Sequence, residues 1–297
     1  NKNNYFTNLE IKEIVNILEN SKNIKSDVLR NEFFNYLLNL QLDFNNEKNR
    51  NIFFYVVNYF YDVGNISNAY NLISSNNLEN DENENFYKFI EINYLLATYQ
   101  LESVCNFKDE DDSGLLLENF LTEKIDIFCL ILEDKILEAD LLNTLLLELE
   151  VNLDENFQQL YSLLVEKENK NISTEINFDL SRNQNLIFLY SAMSRIAEIP
   201  LNEELLKIDP KNLSIPIILN KSTPITLRIK AANEAYMNRL ITIDSLAALY
   251  QSVDFNSEQL ENFDVTIKSF NNNIQKSMAF YFQYINVQIF PSERLDA

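Results

Sequence analysis

Between Thr223 and Val253 the apolar residues return with the period of an α-helix, and the same period runs through most of the chain. Leu227, Ala231 and Ala235 fall at i, i+4 and i+8, with Ala232, Tyr236 and Leu240 in the adjoining row, so one face of a helix is apolar. Thr223 is placed to cap this helix, and Pro224 to open its first turn, where a missing N–H is no loss. After a break at Leu240, Thr242 is placed to cap a second helix bearing Leu246, Leu249 and Tyr250. Ala231, Ala235, Ala247 and Ala248 are small enough to let the two helices approach closely. The expected unit is therefore a helical hairpin. The expected fold class is all-α, with stacked helical hairpins forming an α-solenoid.

Composition narrows the chemistry more than it narrows the fold. Two glycines and five prolines leave few of the residues on which strand-rich proteins build their turns. The glycines, Gly64 and Gly114, lie too far apart for a Walker loop or a dinucleotide fingerprint. Histidine is absent, which removes an imidazole base, the serine and cysteine triads, and histidine-supported zinc or iron sites. No cofactor is expected. With 45 acidic against 24 basic residues the formal charge is −21, which repels nucleic-acid backbones and anionic membranes and suits a basic protein partner. The richest apolar patches, 125–132 and 141–149, are interrupted by Asp126, Asn143 and Glu148, so they read as buried helix faces, not membrane spans.

Taken in order, Thr7 to Glu10 reads as a capping box for a helix with Ile11, Ile14, Val15 and Leu18 on its face. Ser26 is placed to cap the next helix. An aromatic helix over 51–63 should stop at Gly64 and be answered by a short partner over 67–75. Helices are expected over 86–101, 113–133, 135–150, 154–167 and 182–197, and one long helix over 264–289. Pro200, Pro210, Pro216 and Pro224 fall close together, and proline both removes a donor and disfavours helix before it. That window divides the expected organisation into a helical array (1–199), a joint (200–223) and a C-terminal helical unit (224–297). Cys105 and Cys129 could join across two facing helices; two separate buried thiols are the expectation. The chain begins at Asn1, which fits a periplasmic or otherwise exported product freed of its leader, with a cytoplasmic protein as the alternative.

Val57, Phe60, Tyr61, Gly64, Ile66 and Ala69 resemble the tetratricopeptide pattern: large residues in a first helix, a glycine turn, and a small residue in a second. The match covers one repeat, lacks the tryptophan-type opener, and is followed by no legible 34-residue recurrence. The hairpin at Thr223 is similar, with Leu240 where a glycine would stand, and resembles the helix pairs of exported bacterial helical-repeat proteins. The resemblance implies stacked helix pairs and partner binding, and it transfers no site residues.

Three local features are candidate sites. Asp109, Asp111 and Ser113, followed by Gly114 and Leu116, have the spacing of a calcium loop, but the twelfth position holds Phe120 instead of a bidentate glutamate. An acidic loop capping a helix accounts for the same residues. Adjacent carboxylates, Glu203–Glu204 and Glu133–Asp134, are the best material for a glycan-cleaving hydrolase or lyase that works with carboxylates alone. Aromatic side chains crowd Phe53–Tyr61 and Phe280–Tyr284 beyond what one buried face holds, so Tyr55, Tyr59, Tyr61, Tyr281 and Tyr284 are the candidates for binding a protein partner. The leading expectation is a non-enzymatic helical-repeat scaffold. The carboxylate-only enzyme and a calcium-tuned structural module are its alternatives.

Overall fold

The computed structural model describes residues 5–76, 78, 81–109, 120–166 and 184–287. Among them there are seventeen α-helices and no strand. The chain forms two compact units, Asn1–Glu133 and Asp134–Ala297.

The first unit holds α1 (Ile11–Ser21), α2 (Asp27–Leu38), α3 (Glu47–Asp62), α4 (Ile66–Ser74), α5 (Glu84–Ala97), α6 (Leu101–Asp109) and α7 (Leu121–Leu132). Helix α1 packs on α3, α3 on α4, α4 on α5, α5 on α6 and α6 on α7, so from α3 onward the helices pack in chain order. Thr7 does not open α1, because residues 6–8 form a 3-10 turn. The capping box is Glu10 with Glu13, whose carboxylate accepts the Glu10 N–H at 2.9 Å. Ser26 caps α2 as expected, accepting from the Leu29 N–H.

The turns between paired helices repeat a single device. Helix α3 ends at Gly64, with φ at 80°, and the Asn65 N–H donates back to the Phe60 carbonyl at 2.8 Å. This is the bond that closes a helix through a left-handed residue. The Asn65 side chain then caps α4. Tyr99 (φ 62°) does the same for α5, with Gln100 N–H donating to the Leu95 carbonyl at 2.8 Å. Asp134 (φ 61°) follows α7, at the point where one unit ends and the next begins.

These three turn residues stand at positions 64, 99 and 134, a spacing of 35 residues each time. The first helices of the pairs end at Asp62, Ala97 and Leu132, and the second ones begin at Ile66, Leu101 and Ile136, with the same spacing. Carried along that register, Val57 becomes Ile92 and Ile127, Ile66 becomes Leu101 and Ile136, and Ala69 becomes Val104 and Ala139. Seven of these nine are buried, and Leu101 and Ile136 are half-buried. A recurrence thus exists where the sequence shows none, because tyrosine and aspartate occupy the positions that glycine would mark.

The second unit holds α8 (Ile136–Leu149), α9 (Glu155–Val165), α10 (Ile187–Ile196), α11 (Glu203–Ile208), α12 (Pro210–Leu219), α13 (Ile225–Met237), α14 (Ile243–Gln251), α15 (Ser257–Glu261), α16 (Phe263–Ser269) and α17 (Ile274–Val287). The proline window holds two helices, α11 and α12. Pro210 sits at the first position of α12, where Asp209 caps, and Pro216 is buried within that helix. Among the described residues, the packing of α12 on α13 is the most extensive helix pairing. Thr223, expected to cap α13, is buried instead, and its hydroxyl accepts the Leu201 N–H at 2.9 Å. Thr242 does cap α14. The reversal between α13 and α14 is made by Arg239 (φ 63°), with the Leu240 N–H bonded to the Ala235 carbonyl at 2.7 Å, so the glycine-like position is one residue before Leu240. The long C-terminal helix is broken at Asn271 and Asn272, both left-handed, into α16 and α17. Asparagine tolerates that conformation better than most residues. A core of Ile229, Leu246, Leu249, Phe255, Phe270 and Phe280 closes α13, α14 and α17 together.

The two thiols correct a further expectation. Cys105 on α6 and Cys129 on α7 form a disulfide with their Cα atoms 5.7 Å apart, because the packed helices turn these residues towards each other. A crosslink across 24 residues stabilises by roughly 3 kcal/mol through the unfolded chain. The Cys105→Ser/Cys129→Ser double variant should lose about that much in a denaturant titration. Glu198 closes α10 in the same left-handed manner (φ 58°) and is exposed. Glu198→Gly should therefore raise stability by about 0.5–1 kcal/mol, since glycine enters that conformation without a Cβ clash. An unchanged or lowered melting temperature would contradict this account of the turn.

Candidate functional site

The aromatic candidates divide by burial. Tyr59 is 2% exposed and lies edge-on to Phe33 and Phe34, so it belongs to the core of the first unit and offers no surface. Burial pushes its hydroxyl above the usual tyrosine range. Tyr55 and Tyr61, on the same helix, are half-buried beside Phe54 and Phe89. In the second unit Tyr281 is 38% exposed, and Tyr284 leans on Phe263 with ring centres 4.7 Å apart. Tyr55 and Tyr59 lie one turn apart on a shared face, and only Tyr59 is covered by Phe33 and Phe34 of α2.

The Glu203–Glu204 pair sits in surface ion pairs. Glu203 is bonded to Lys230 at 2.5 Å and Glu204 to Lys207 at 2.7 Å, both on the surface. The Lys230 ammonium holds the Glu203 carboxyl below its ordinary range, which is opposite to what a general acid needs. Asp154 is buried, caps α9 through the Phe157 N–H, and accepts the Tyr190 hydroxyl at 2.7 Å. Asp140 accepts the Tyr161 hydroxyl, and burial together with that carboxylate pushes the phenol upward. Of the calcium candidates, Asp109 is the last residue of α6, while Asp111 and Ser113 lie outside the described residues. Among the described residues no three potential metal ligands are grouped, and no helix is long and apolar enough to cross a membrane.

One surface was misjudged from the sequence. The patch over 141–149 reads as buried, yet Leu141 is 62% exposed and Leu149 63%. With Leu137, at 85%, and Leu145 they make a row along α8 at intervals of four residues. The inward face of α8 is Ala139, Asn143 and Leu146. It faces α9, where the Asn143 and Gln158 amides exchange two hydrogen bonds at 3.0 and 2.8 Å.

The 35-residue register shows that this row is not the packing face of the repeat. Positions 137 and 141 correspond to Ser67 and Asn71 on α4, and to Glu102 and Asn106 on α6, all of them polar and exposed. The positions that do pack, Ile66, Ala69 and Leu72 on α4, correspond to Ile136, Ala139 and Leu142. Leucine therefore replaces polar residues on a side of the helix that its two counterparts leave to water. The i, i+4 spacing was visible in the sequence, but its direction was not.

No family model, curated protein or solved structure matches the chain.

The different burial of two candidate tyrosines gives a direct check. Tyr59→Ala should cost about 3–5 kcal/mol, as large aromatic truncations in cores do. Tyr281→Ala should stay within about 1 kcal/mol of wild type. Thermal or denaturant midpoints of the two variants decide it, and comparable losses would be inconsistent with the packing described.

Proposed function

We propose that this chain is a tetratricopeptide-like helical-repeat scaffold that binds a protein partner and performs no chemistry of its own. The observation that supports it most is the recurrence at 64, 99 and 134: three turns of one conformation, each between helices that end and begin in register. Stacked pairs of this kind bury apolar residues between neighbours and leave long ordered surfaces free for partners. A repeat length near 34 residues is that of the tetratricopeptide family. The half-exposed aromatic residues Tyr55, Tyr61, Tyr281 and Tyr284, and the leucine row on α8, supply surface of the kind partners bury. The acidic balance of the sequence favours a basic partner. The Cys105–Cys129 disulfide supports an oxidising setting, and with it an exported bacterial protein.

Affinity capture tests the reading. The immobilised full chain should retain a defined protein from an extract of its source cells at about 0.15 M salt, and release it as salt is raised. Retention of nothing beyond what a heat-denatured control holds would end the scaffold proposal.

A further inference from the structure

The leucine row on α8 has a definite shape and charge. It runs from Leu137 through Leu141 and Leu145 to Leu149, about 18 Å at the rise of a helix, which is the length of three to four helical turns on a partner. Because residues advance by slightly more than a quarter turn, the row crosses the helix surface obliquely. Glu138 stands on one side of it near its start, and Glu148 on the other side near its end, both exposed. An apolar strip edged by acid is the complement of an amphipathic helix whose leucine-type face is edged by lysine or arginine.

Charge also selects among occupants. A second copy of this chain would set glutamate against glutamate across the strip, in a protein with formal charge −21. An anionic membrane surface meets the same repulsion. We infer that the outward face of α8, centred on Leu141 and Leu145, is a docking site for a basic amphipathic helix of a partner protein. This inference rests on the scaffold reading given above and specifies where and by what chemistry the partner is held.

The probe is a synthetic amphipathic peptide of about eighteen residues, with leucine on one face and lysine on the other, compared with a peptide of the same pattern in which glutamate replaces lysine. Fluorescence anisotropy with the full chain should show binding of the lysine peptide alone, weakening as salt rises. Leu141→Ser/Leu145→Ser should weaken it by about tenfold or more, while the melting temperature stays at the wild-type value because both side chains are exposed. Glu138→Lys/Glu148→Lys should weaken the lysine peptide and admit the glutamate peptide. The control Glu258→Lys/Glu261→Lys makes the same change in net charge on the exposed surface of α15 and should leave binding intact. Equal losses in Glu138→Lys/Glu148→Lys and the control would mean that bulk charge alone attracts the peptide, and would overturn the site. So would a dimer in analytical ultracentrifugation that disappears in the leucine variant, or row-dependent binding to anionic lipid vesicles. A partner captured equally well by wild type and by Leu141→Ser/Leu145→Ser removes this site but leaves the scaffold reading standing; a wild-type bait that captures nothing removes the scaffold reading itself.

Discussion

An amphipathic helix can bury its apolar face only if the chain turns back at once and lays another helix beside it. In this protein the reversal depends on one bond, from the residue after a left-handed position to the carbonyl five residues before it. It closes α3 at Gly64, α5 at Tyr99, α10 at Glu198 and α13 at Arg239. With only two glycines in the sequence, most of these positions must be filled by residues that carry a Cβ, and each such residue is strained by roughly 1 kcal/mol or more. Packing on both sides of the turn outweighs that strain. Val57, Ile92 and Ile127 before the turns, and Ala69, Val104 and Ala139 after them, are each buried.

The first unit and the second use that turn for different ends. In the first, helices from α3 onward pack in chain order, and the turns at Gly64 and Tyr99 stand 35 residues apart. In the second, α12 and α13 pair most extensively, and α14 and α17 close over a core rich in phenylalanine. Gln283 on α17 donates to the carbonyls of Tyr250 and Val253, both at 2.8 Å, and so satisfies the end of α14. Irregular connections such as the left-handed pair Asn271 and Asn272 belong to this closure. Proline serves regular structure here as well: Pro210 opens a helix because its missing N–H falls among the four that have no partner inside a helix.

Helix positions were legible where a cap or an apolar row marked them, as at Ser26, Gly64 and Thr242. They were misplaced where a local signal had a stronger tertiary use. Thr223 has the look of a cap, but its hydroxyl satisfies the Leu201 N–H of a neighbouring segment, a partner that sequence proximity does not reveal. The repeat was hidden for a related reason. A tyrosine in a left-handed turn is indistinguishable from any other tyrosine until its backbone is seen, so the glycine signature appears once and then vanishes. Direction was the least legible property: Tyr59 points towards Phe33 and Phe34 of α2, whereas the leucines of α8, which read as core, point out.

Periodicity, glycine scarcity and the absence of histidine determined that this chain is helical and that imidazole chemistry is closed to it. Those properties are local or compositional, and no arrangement of the helices can change them. The crosslink between Cys105 and Cys129, the 35-residue register and the exposed side of α8 were decided by the tertiary structure. Each depends on which helix lies against which, and a helix that is apolar on two sides carries no mark saying which side its neighbours will cover.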